Sequence, residues 1–297
     1  MIFECVINVS VGNDHSELDS LFASSLSQNC LVDVHKDSDH NRSVFTFASK
    51  ELGVIFRDVK ALIDESFKSF DIAMHEGVHP RIGIVDVLPF VMYDERNGSL
   101  DLSNENEFLN DVKCFAEEIH KDFNVPIFFY DFVHEDQIRT LPEIRRNAFV
   151  NFAPNIGANE PHEKYGAIAL GIRNPLVAIN VNLHSKDLDL AKKLSKEIRE
   201  SNGGVKGVRA LGLELKSQNM VQVSMNIFDL EQANVGDVCV TVRNMAKDFD
   251  VESDVELVGL IPKFHFEKLS SEFLQWSKLT ETSTVENHLS QVQPAEE

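Results

Sequence analysis

Residues 75–79 read HEGVH and match the H-E-x-x-H pattern, in which two histidines on one face of a helix bind zinc for hydrolysis. Two neighbouring residues disfavour a continuous helix through His75 and His79. Gly77 costs a helix about 1 kcal/mol relative to alanine. Pro80 pushes the backbone of His79 out of the α region. The sequence therefore argues against a zinc helix at this place.

The residues that follow Pro80 have the alternating pattern of a buried strand, predicted over residues 82–92. His79 is then a loop residue at the mouth of this strand. Imidazole titrates near neutral pH, so a histidine held there could act as a general acid or base. The alternative for His79 is a loop histidine whose hydrogen bonds are made with the backbone.

Two arginines and an acidic segment offer further chemistry. Arg42 and Arg81 could hold carboxylates, which a guanidinium binds through two parallel hydrogen bonds. A surface salt bridge is the alternative for each arginine. Five side chains have the residue types of a metal site: Asp33, His35, Asp37, Asp39 and His40. Because acidic residues are favoured in turns for local hydrogen bonding, we interpret residues 36–41 as a turn and His35 as an orienting group.

Composition limits the classes of partner. The chain has 297 residues, with 28 Lys plus Arg against 48 Asp plus Glu, which gives a net charge of -20. Nucleic acid and anionic membrane surfaces should repel so acidic a protein. No apolar stretch approaches the length of a membrane span, and the N-terminus lacks a signal-like charge pattern. Four scattered cysteines predict buried free thiols. We therefore expect a cytoplasmic protein that binds neither nucleic acid nor membrane.

The order of predicted elements indicates a duplicated fold. In the first half, strands are predicted at 2–10, 31–35, 43–47, 82–92 and 125–130, and helices at 16–26, 54–67 and 105–123. In the second half, strands are predicted at 176–183, 208–215, 221–227 and 255–261, and helices at 187–200 and 235–249. Each half contains the order β-α-β-β-α-β of ferredoxin-like folds. The predicted fold class is α+β, with two ferredoxin-like (βαββαβ) subdomains in a duplicated arrangement.

The predicted domain boundaries follow from this order. The N-terminal subdomain covers 1–172, the C-terminal subdomain covers 173–270, and 271–297 forms a helix end and a flexible tail. From about Leu279 the apolar content is low, which predicts a solvated, disordered tail. Residues 151–162 have no regular period and predict a long ordered loop, a type of segment that is often functional.

Four sequence blocks in the same order resemble the formiminotransferase family. They are ECVINVS at 4–10, the hairpin at 33–47 with NRSV at 41–44, the block at 79–90 that begins HPRIG and ends DVLPF, and the second-half hairpin at 204–226 with VQVSMN at 221–226. The similarity extends over about residues 1–268. The family moves a formimino group from N-formimino-L-glutamate to tetrahydrofolate. The resemblance implies the same activity here, within one-carbon metabolism and histidine catabolism.

The resemblance also implies site residues and partners. The catalytic histidine falls on His79, in an active site between the two subdomains. The folate-contacting loop falls on ten consecutive residues: Gly157, Ala158, Asn159, Glu160, Pro161, His162, Glu163, Lys164, Tyr165 and Gly166. Further candidate substrate-binding residues are Asp33, His35, Asn41, Arg42 and Arg81. Tetrahydrofolate is the expected co-substrate, no metal is expected, and homodimers are typical of the family.

Two alternatives to formimino transfer stay open. One is a formyl-transferring variant, which the sequence does not separate from the first. The other is a folate-binding protein of the same fold without turnover. The departures from the family's pattern at His35, at Val78 and over 160–165 allow this second alternative, whereas His79 at the motif position argues against it.

We predict that the purified protein contains no stoichiometric zinc and keeps its activity in a chelator, because Gly77 and Pro80 interrupt the helix that a zinc motif needs. Elemental analysis of the purified chain, with activity measured before and after chelation, checks this. One zinc per chain that is lost together with activity would contradict the prediction.

Overall fold

The computed structural model describes residues 1–12, 30–75, 80–96, 98–102, 105–131 and 138–292. The chain divides into two compact units. The first consists mainly of Met1–Asp94 and Ser99–Arg173, and the second consists mainly of Glu95–Gly98 and Asn174–Gln291. The predicted helix at 16–26 and the candidate acid or base His79 lie outside the described residues.

A six-stranded sheet forms the centre of the first unit. Its strands are β1 (Ile2–Val9), β2 (Leu31–Asp37), β3 (Arg42–Ser49), β4 (Val85–Tyr93), β5 (Ile127–Asp131) and β6 (Ile168–Arg173). Their spatial order is β2-β3-β1-β4-β6-β5. The first four strands pair antiparallel, whereas β6 lies parallel to both β4 and β5. One sheet thus combines local hairpin pairing with pairing between distant segments.

Two long helices, α1 (Leu52–Ser69) and α2 (Asn106–Phe123), cover one face of this sheet. Their buried residues recur every three or four positions, which gives each helix one apolar stripe. These stripes pack on sheet residues such as Ile7, Phe45 and Phe90 in the main core cluster. Because side chains alternate along a strand, the intervening residues of β1 and β3 point to the opposite face.

A smaller apolar cluster covers part of that opposite face. The short helix α3 (Leu141–Asn147) contributes the buried Ile144, which packs with Val87, Phe128 and other sheet residues. Thr140 precedes α3 and forms a capping box with Glu143, whose carboxylate accepts a hydrogen bond from the Thr140 N–H at 2.8 Å. The cap fixes where α3 begins and therefore which of its side chains face the sheet.

The second unit contains a four-stranded antiparallel sheet in the order β10-β7-β9-β8. Its strands are β7 (Val177–Leu183), β8 (Val208–Leu215), β9 (Met220–Ile227) and β10 (Ser253–Val258). The helices α4 (Leu188–Ile198) and α5 (Val235–Lys247) bury apolar stripes in the core of this unit. Three short helices follow β10: α6 (Lys263–Phe266), α7 (Ser271–Ser277) and α8 (Val285–Val292).

The two sheets share one strand order. Read from its edge, the first sheet begins β2-β3-β1-β4, and the second reads β8-β9-β7-β10 in the same relative sequence order. This is the arrangement of the βαββαβ unit. The predicted class, α+β with two ferredoxin-like subdomains, is confirmed. The first sheet is extended by β5, which the sequence predicted, and by β6, which it did not.

The strand predicted from residue 82 begins three residues later, at Val85. The N–H of Ile82 donates to the Asp86 carboxylate at 2.8 Å instead of to a neighbouring strand. Gly83 makes an isolated bridge to Gly166. The pairing of β1 with β4 also shifts in register between Asn8 and Val9. Side-chain bonding and this irregularity delay the start of regular pairing.

The chain from Leu279 to residue 292 is folded, so the prediction of a solvated tail is wrong for this segment. Val285 and Leu289 lie one turn apart on α8 and are buried. The N–H of Ile261 donates to Ser283 O at 3.0 Å, and the N–H of Val285 donates to Ile261 O at 3.2 Å. The prediction from composition was wrong because a few apolar residues are enough to pack a helix when they share one of its faces.

Two other expectations concern membrane-spanning helices and the state of the cysteines. Within the described ranges, no helix is both long enough and apolar enough to cross a membrane. The four cysteines are free: Cys5, Cys30 and Cys239 are buried, and Cys114 is exposed. Three of the thiols are therefore buried, as predicted, whereas Cys114 is not. The Cys30 thiol also donates a hydrogen bond to Oδ2 of Asp58 at 3.2 Å.

We predict that Leu289→Ala lowers the free energy of unfolding by about 2–5 kcal/mol, the usual cost of removing a buried leucine side chain. The exposed Gln291 on the same helix supplies the control, because Gln291→Ala should change stability by less than about 0.5 kcal/mol. Urea unfolding followed by circular dichroism measures both. Equal stabilities for the two variants would mean that α8 does not pack as described.

Candidate active site

Three candidate residues, together with Asn8, lie on one face of the first sheet. Residues two apart in a strand share a face, and so do residues directly opposite each other on paired strands. The register places Asp33 and His35 of β2 opposite residues of β3 that share a face with Arg42. Asn8 of β1 also lies opposite one of these β3 residues. The fold therefore brings Asp33, His35, Arg42 and Asn8 to the face turned away from α1 and α2.

Asp86, at the start of β4, joins three segments through one carboxylate. Its side chain is 1% exposed. One oxygen, Oδ1, accepts the hydrogen bond from the Ile82 N–H. The other oxygen, Oδ2, accepts a hydrogen bond from Nη2 of Arg145 in α3 and lies 3.5 Å from Nη1 of Arg42. Burial of this charge is therefore offset by two guanidinium groups and one backbone donor.

Arg42 is part of a partly buried network. Its side chain is 16% exposed. Its Nε and Nη2 donate to Oδ1 of Asn8 at 2.9 and 2.5 Å. Burial lowers the pKa of Arg42 to about 10, while Asp86 acts to raise it and Arg145 acts to lower it. The guanidinium is therefore charged at neutral pH, and the surface salt bridge considered from sequence is replaced by a sheltered ion pair.

Asn41, His75 and Arg81 are linked by contacts to backbone atoms. Asn41 has a positive φ of 48°, and its Oδ1 accepts from the Gly12 N–H at 2.8 Å. Nε2 of His75 lies 3.1 Å from the carbonyl oxygen of Asn41 and must donate, since a carbonyl only accepts. Nη2 of Arg81 donates to the carbonyl oxygen of His75 at 2.9 Å.

Burial lowers the pKa of His75, with a smaller contribution from the charge of Arg81. The imidazole is therefore neutral near pH 7, with its Nε2 proton used in the bond to Asn41. This arrangement gives His75 a role in holding the segment before residue 76 against the β2–β3 turn.

The acidic turn at residues 37–41 is used for local hydrogen bonding. Oδ1 of Asp37 accepts from the His40 N–H at 3.0 Å, and Oδ2 contacts the His40 ring. Although burial acts to raise the pKa of Asp37, these hydrogen bonds lower it overall. Among the described residues, no three His, Cys, Asp or Glu side chains are grouped closely enough to hold a metal ion. Asp37 thus serves the turn, in agreement with the sequence interpretation.

One end of the predicted folate loop is fastened to the segment that follows Arg81. The N–H of Ile84 donates to Tyr165 O at 3.0 Å, and the N–H of Ala167 donates to Ile82 O at 2.9 Å. Gly166 has φ +73°, and a Cβ there would lie 2.3 Å from the carbonyl oxygen of Ile82. Gly166 is therefore required for close backbone packing within the protein.

The same end of the loop carries a stack of rings. Tyr165 stacks on Phe67 of α1 with ring centres 4.0 Å apart, and His162 stacks on Tyr165 at 4.2 Å. Nδ1 of His162 accepts hydrogen bonds from the Lys164 and Tyr165 N–H groups at 3.2 and 3.1 Å. Stacking on Tyr165 therefore holds one face of the His162 ring, and the two hydrogen bonds hold its Nδ1 atom. Together they fix the orientation of the ring.

The first part of the loop is different in character. Residues 157–161 and Glu163 are exposed. Gly157 has φ +96°, and a Cβ there would lie 2.8 Å from the ring of His120. The loop therefore has an exposed stretch of five residues and an anchored end. The anchored end contacts the segment that follows His79 in the sequence.

Two residues of this network were missed by reasoning from sequence. Asp86 is a charged residue within a strand that is otherwise buried and apolar, and that contrast was an available signal. Arg145 gave no local signal, because Arg146 beside it has the same chemistry but is exposed. The contact between Arg145 and Asp86 spans 59 positions of sequence.

Comparisons with known proteins cover both halves of the chain. Residues 2–173 match the model of the formiminotransferase domain, N-terminal subdomain, and residues 178–291 match that of the formiminotransferase domain. The chain is 32% identical to the glutamate formimidoyltransferase of Streptococcus pyogenes serotype M1, over 97% of this chain and 98% of that protein.

Two further relatives extend the comparison. The glutamate formimidoyltransferase of Thermoplasma acidophilum is 28% identical over 97% of each chain. The formimidoyltransferase-cyclodeaminase of Rattus norvegicus is 30% identical over 88% of this chain but only 50% of its own length. With both family models matched and the similarity extending along nearly the whole sequence, this chain belongs to the formiminotransferase family of transferases.

Proposed function

We propose that this protein is a glutamate formimidoyltransferase that moves the formimino group of N-formimino-L-glutamate to N5 of tetrahydrofolate. The observation that carries the proposal is the 32% identity to a protein of that name over 97% of this chain and 98% of the relative. Tetrahydrofolate is then a co-substrate, and the reaction needs no metal. The family resemblance further implies a homodimer that works in the cytoplasm.

The reaction makes simple demands on the protein. N5 of tetrahydrofolate attacks the formimino carbon and forms a tetrahedral intermediate. N5 then loses its proton, the bond from the formimino carbon to the glutamate nitrogen breaks, and that nitrogen gains a proton. One group with a pKa near neutrality can perform both transfers in turn. We assign this role to His79.

The described residues that precede and follow His79 in the sequence support the assignment. Ile82, three residues later, is bonded through its N–H to the buried Asp86, and Arg81 is bonded to the His75 carbonyl. Anchored residues thus occur on both sides of the interval 76–79. A general acid or base needs such support because its distance to the reacting atoms must be reproducible.

Charge also supports this function. Both substrates carry carboxylates, and the long-range field of a chain with a net charge of -20 opposes their approach. Arg42 and Arg81 are cations with defined partners in the first unit. We propose that these arginines, with Asp33, His35, Asn41 and the loop Gly157 to Gly166, contact the substrates. A local cation can outweigh the averaged repulsion because close, partly buried charges are screened least.

We predict that the purified full chain converts N-formimino-L-glutamate and tetrahydrofolate to 5-formiminotetrahydrofolate and an equal amount of free glutamate. Chromatographic detection of both products checks the stoichiometry. A parallel reaction with N-formyl-L-glutamate identifies a formyl-transferring variant. Saturable folate binding without either product would instead favour the folate-binding alternative and contradict the proposal.

We predict that His79→Ala reduces the rate of transfer by about 10²- to 10⁴-fold, which is the usual contribution of a general acid or base. His75→Ala should cost much less, because its ring is bonded to a backbone carbonyl. Steady-state rates, with circular dichroism spectra to confirm folding, compare the two. A His79→Ala rate within a few-fold of the parent would reject the assignment, and equal complete loss in both variants would reopen the zinc hypothesis.

A further inference from the structure

Arg145 has hydrogen-bonding capacity that its ion pair with Asp86 does not use. A guanidinium carries five N–H donors in a planar fork. The contact with Asp86 uses Nη2 of Arg145, and Nε of Arg145 is buried without a hydrogen-bond partner among the described residues. A buried donor left unsatisfied costs about 1–3 kcal/mol. An additional acceptor at this position would remove that cost.

Asp86 does not supply the second acceptor. Its Oδ1 accepts from the Ile82 N–H, whereas Arg145 and Arg42 both contact Oδ2. Neither arginine therefore has the two-oxygen pairing with Asp86 that a guanidinium prefers. Asn8, which also accepts hydrogen bonds from Arg42, is neutral. At Asp86, two cations thus share one carboxylate oxygen.

We propose that Arg145 and Arg42, oriented by Asp86, form a carboxylate-binding site, and that Arg145 binds substrate directly. A ligand carboxylate would give Arg145 the acceptor that Asp86 does not supply. It would also add negative charge beside the carboxylate oxygen that the two guanidinium groups share. Asp86 is then a positioning residue, since it fixes both guanidinium groups without itself meeting the ligand. The identity of the ligand rests on the proposed function.

Two substrate carboxylates share this chemistry. One belongs to the glutamate moiety of N-formimino-L-glutamate, and the other belongs to the glutamate tail of tetrahydrofolate. Tetrahydropteroate distinguishes these two sources, because it keeps the pterin and the aminobenzoate of tetrahydrofolate but lacks the glutamate tail. The Michaelis constant for the formimino donor and the dissociation constants of the two folates therefore assign the source.

The competing explanation is a structural ion pair that attaches α3 to the sheet. Removing one partner of a buried ion pair also destabilises a protein, so stability alone cannot decide between the two. Ligand affinity can, because a purely structural pair leaves affinity unchanged in a variant that still folds. Arg146 provides a matched control, since it is the next residue of α3 and is exposed.

The test uses the full chain with Arg145→Gln, Arg145→Lys and the control Arg146→Gln. Isothermal titration calorimetry measures the binding of tetrahydrofolate, tetrahydropteroate and L-glutamate, and steady-state kinetics gives the Michaelis constant for the formimino donor. We expect Arg145→Gln to weaken binding of the ligand held by Arg145 by about 10- to 100-fold, the loss typical of a hydrogen bond to a charged group. Arg145→Lys should recover part of this affinity, and Arg146→Gln should match the parent.

The possible results separate the two proposals. Weaker glutamate or folate binding in Arg145→Gln supports the carboxylate site even if the parent shows no formimino transfer, which would overturn only the proposed function. Transfer by the parent together with affinities within threefold in Arg145→Gln would overturn only the carboxylate site. If Arg145→Gln and Arg145→Lys both fail to fold, the pair is structural and the inference is wrong.

Discussion

The burial of the Asp86 carboxylate constrains the arrangement of the candidate site. A charged side chain that is 1% exposed is tolerated when it is paired and hydrogen-bonded. The partners of Asp86 come from three separate segments: the backbone at Ile82, the first residue of β3 at Arg42, and α3 at Arg145. Each segment must therefore adopt one position relative to β4. The same contacts that satisfy the carboxylate orient two guanidinium groups on one face of the sheet.

Close backbone packing fixes the other side of this region. The bridge between Gly83 and Gly166 leaves no room for a side chain, because a Cβ on Gly83 would lie 2.2 Å from the carbonyl oxygen of Ala167. The rings of His162 and Tyr165 extend this contact toward α1. The segment after His79 is thus held by a carboxylate on one side and by a loop on the other. Such preorganisation supports the proposed role of His79 as a general acid or base.

The two units share a topology but differ in the chemistry of the sheet face that points away from the main apolar core. In the first unit that face carries Arg42 and Asn8. In the second unit it carries amides and carboxylates that bond to one another: Gln222 Nε2 donates to Asn182 Oδ1 at 2.8 Å, and Asn180 Nδ2 donates to Glu256 Oε2 at 3.1 Å. A duplicated βαββαβ framework therefore supports different polar arrays, because alternate strand positions vary without disturbing the core.

The sequence by itself determined the features that depend on local spacing. Alternating strands, the β2–β3 turn and the apolar stripes of α1 and α2 follow from periods of two and about 3.6 residues. The candidates Arg42 and Arg81 followed from residue type and from family blocks. The tertiary structure alone decided the parallel insertion of β6, the packing of α8 and the pairing of Arg145 with Asp86. These features depend on contacts between distant segments, and the free energy of such contacts comes from the shape and charge of surfaces that exist only after folding.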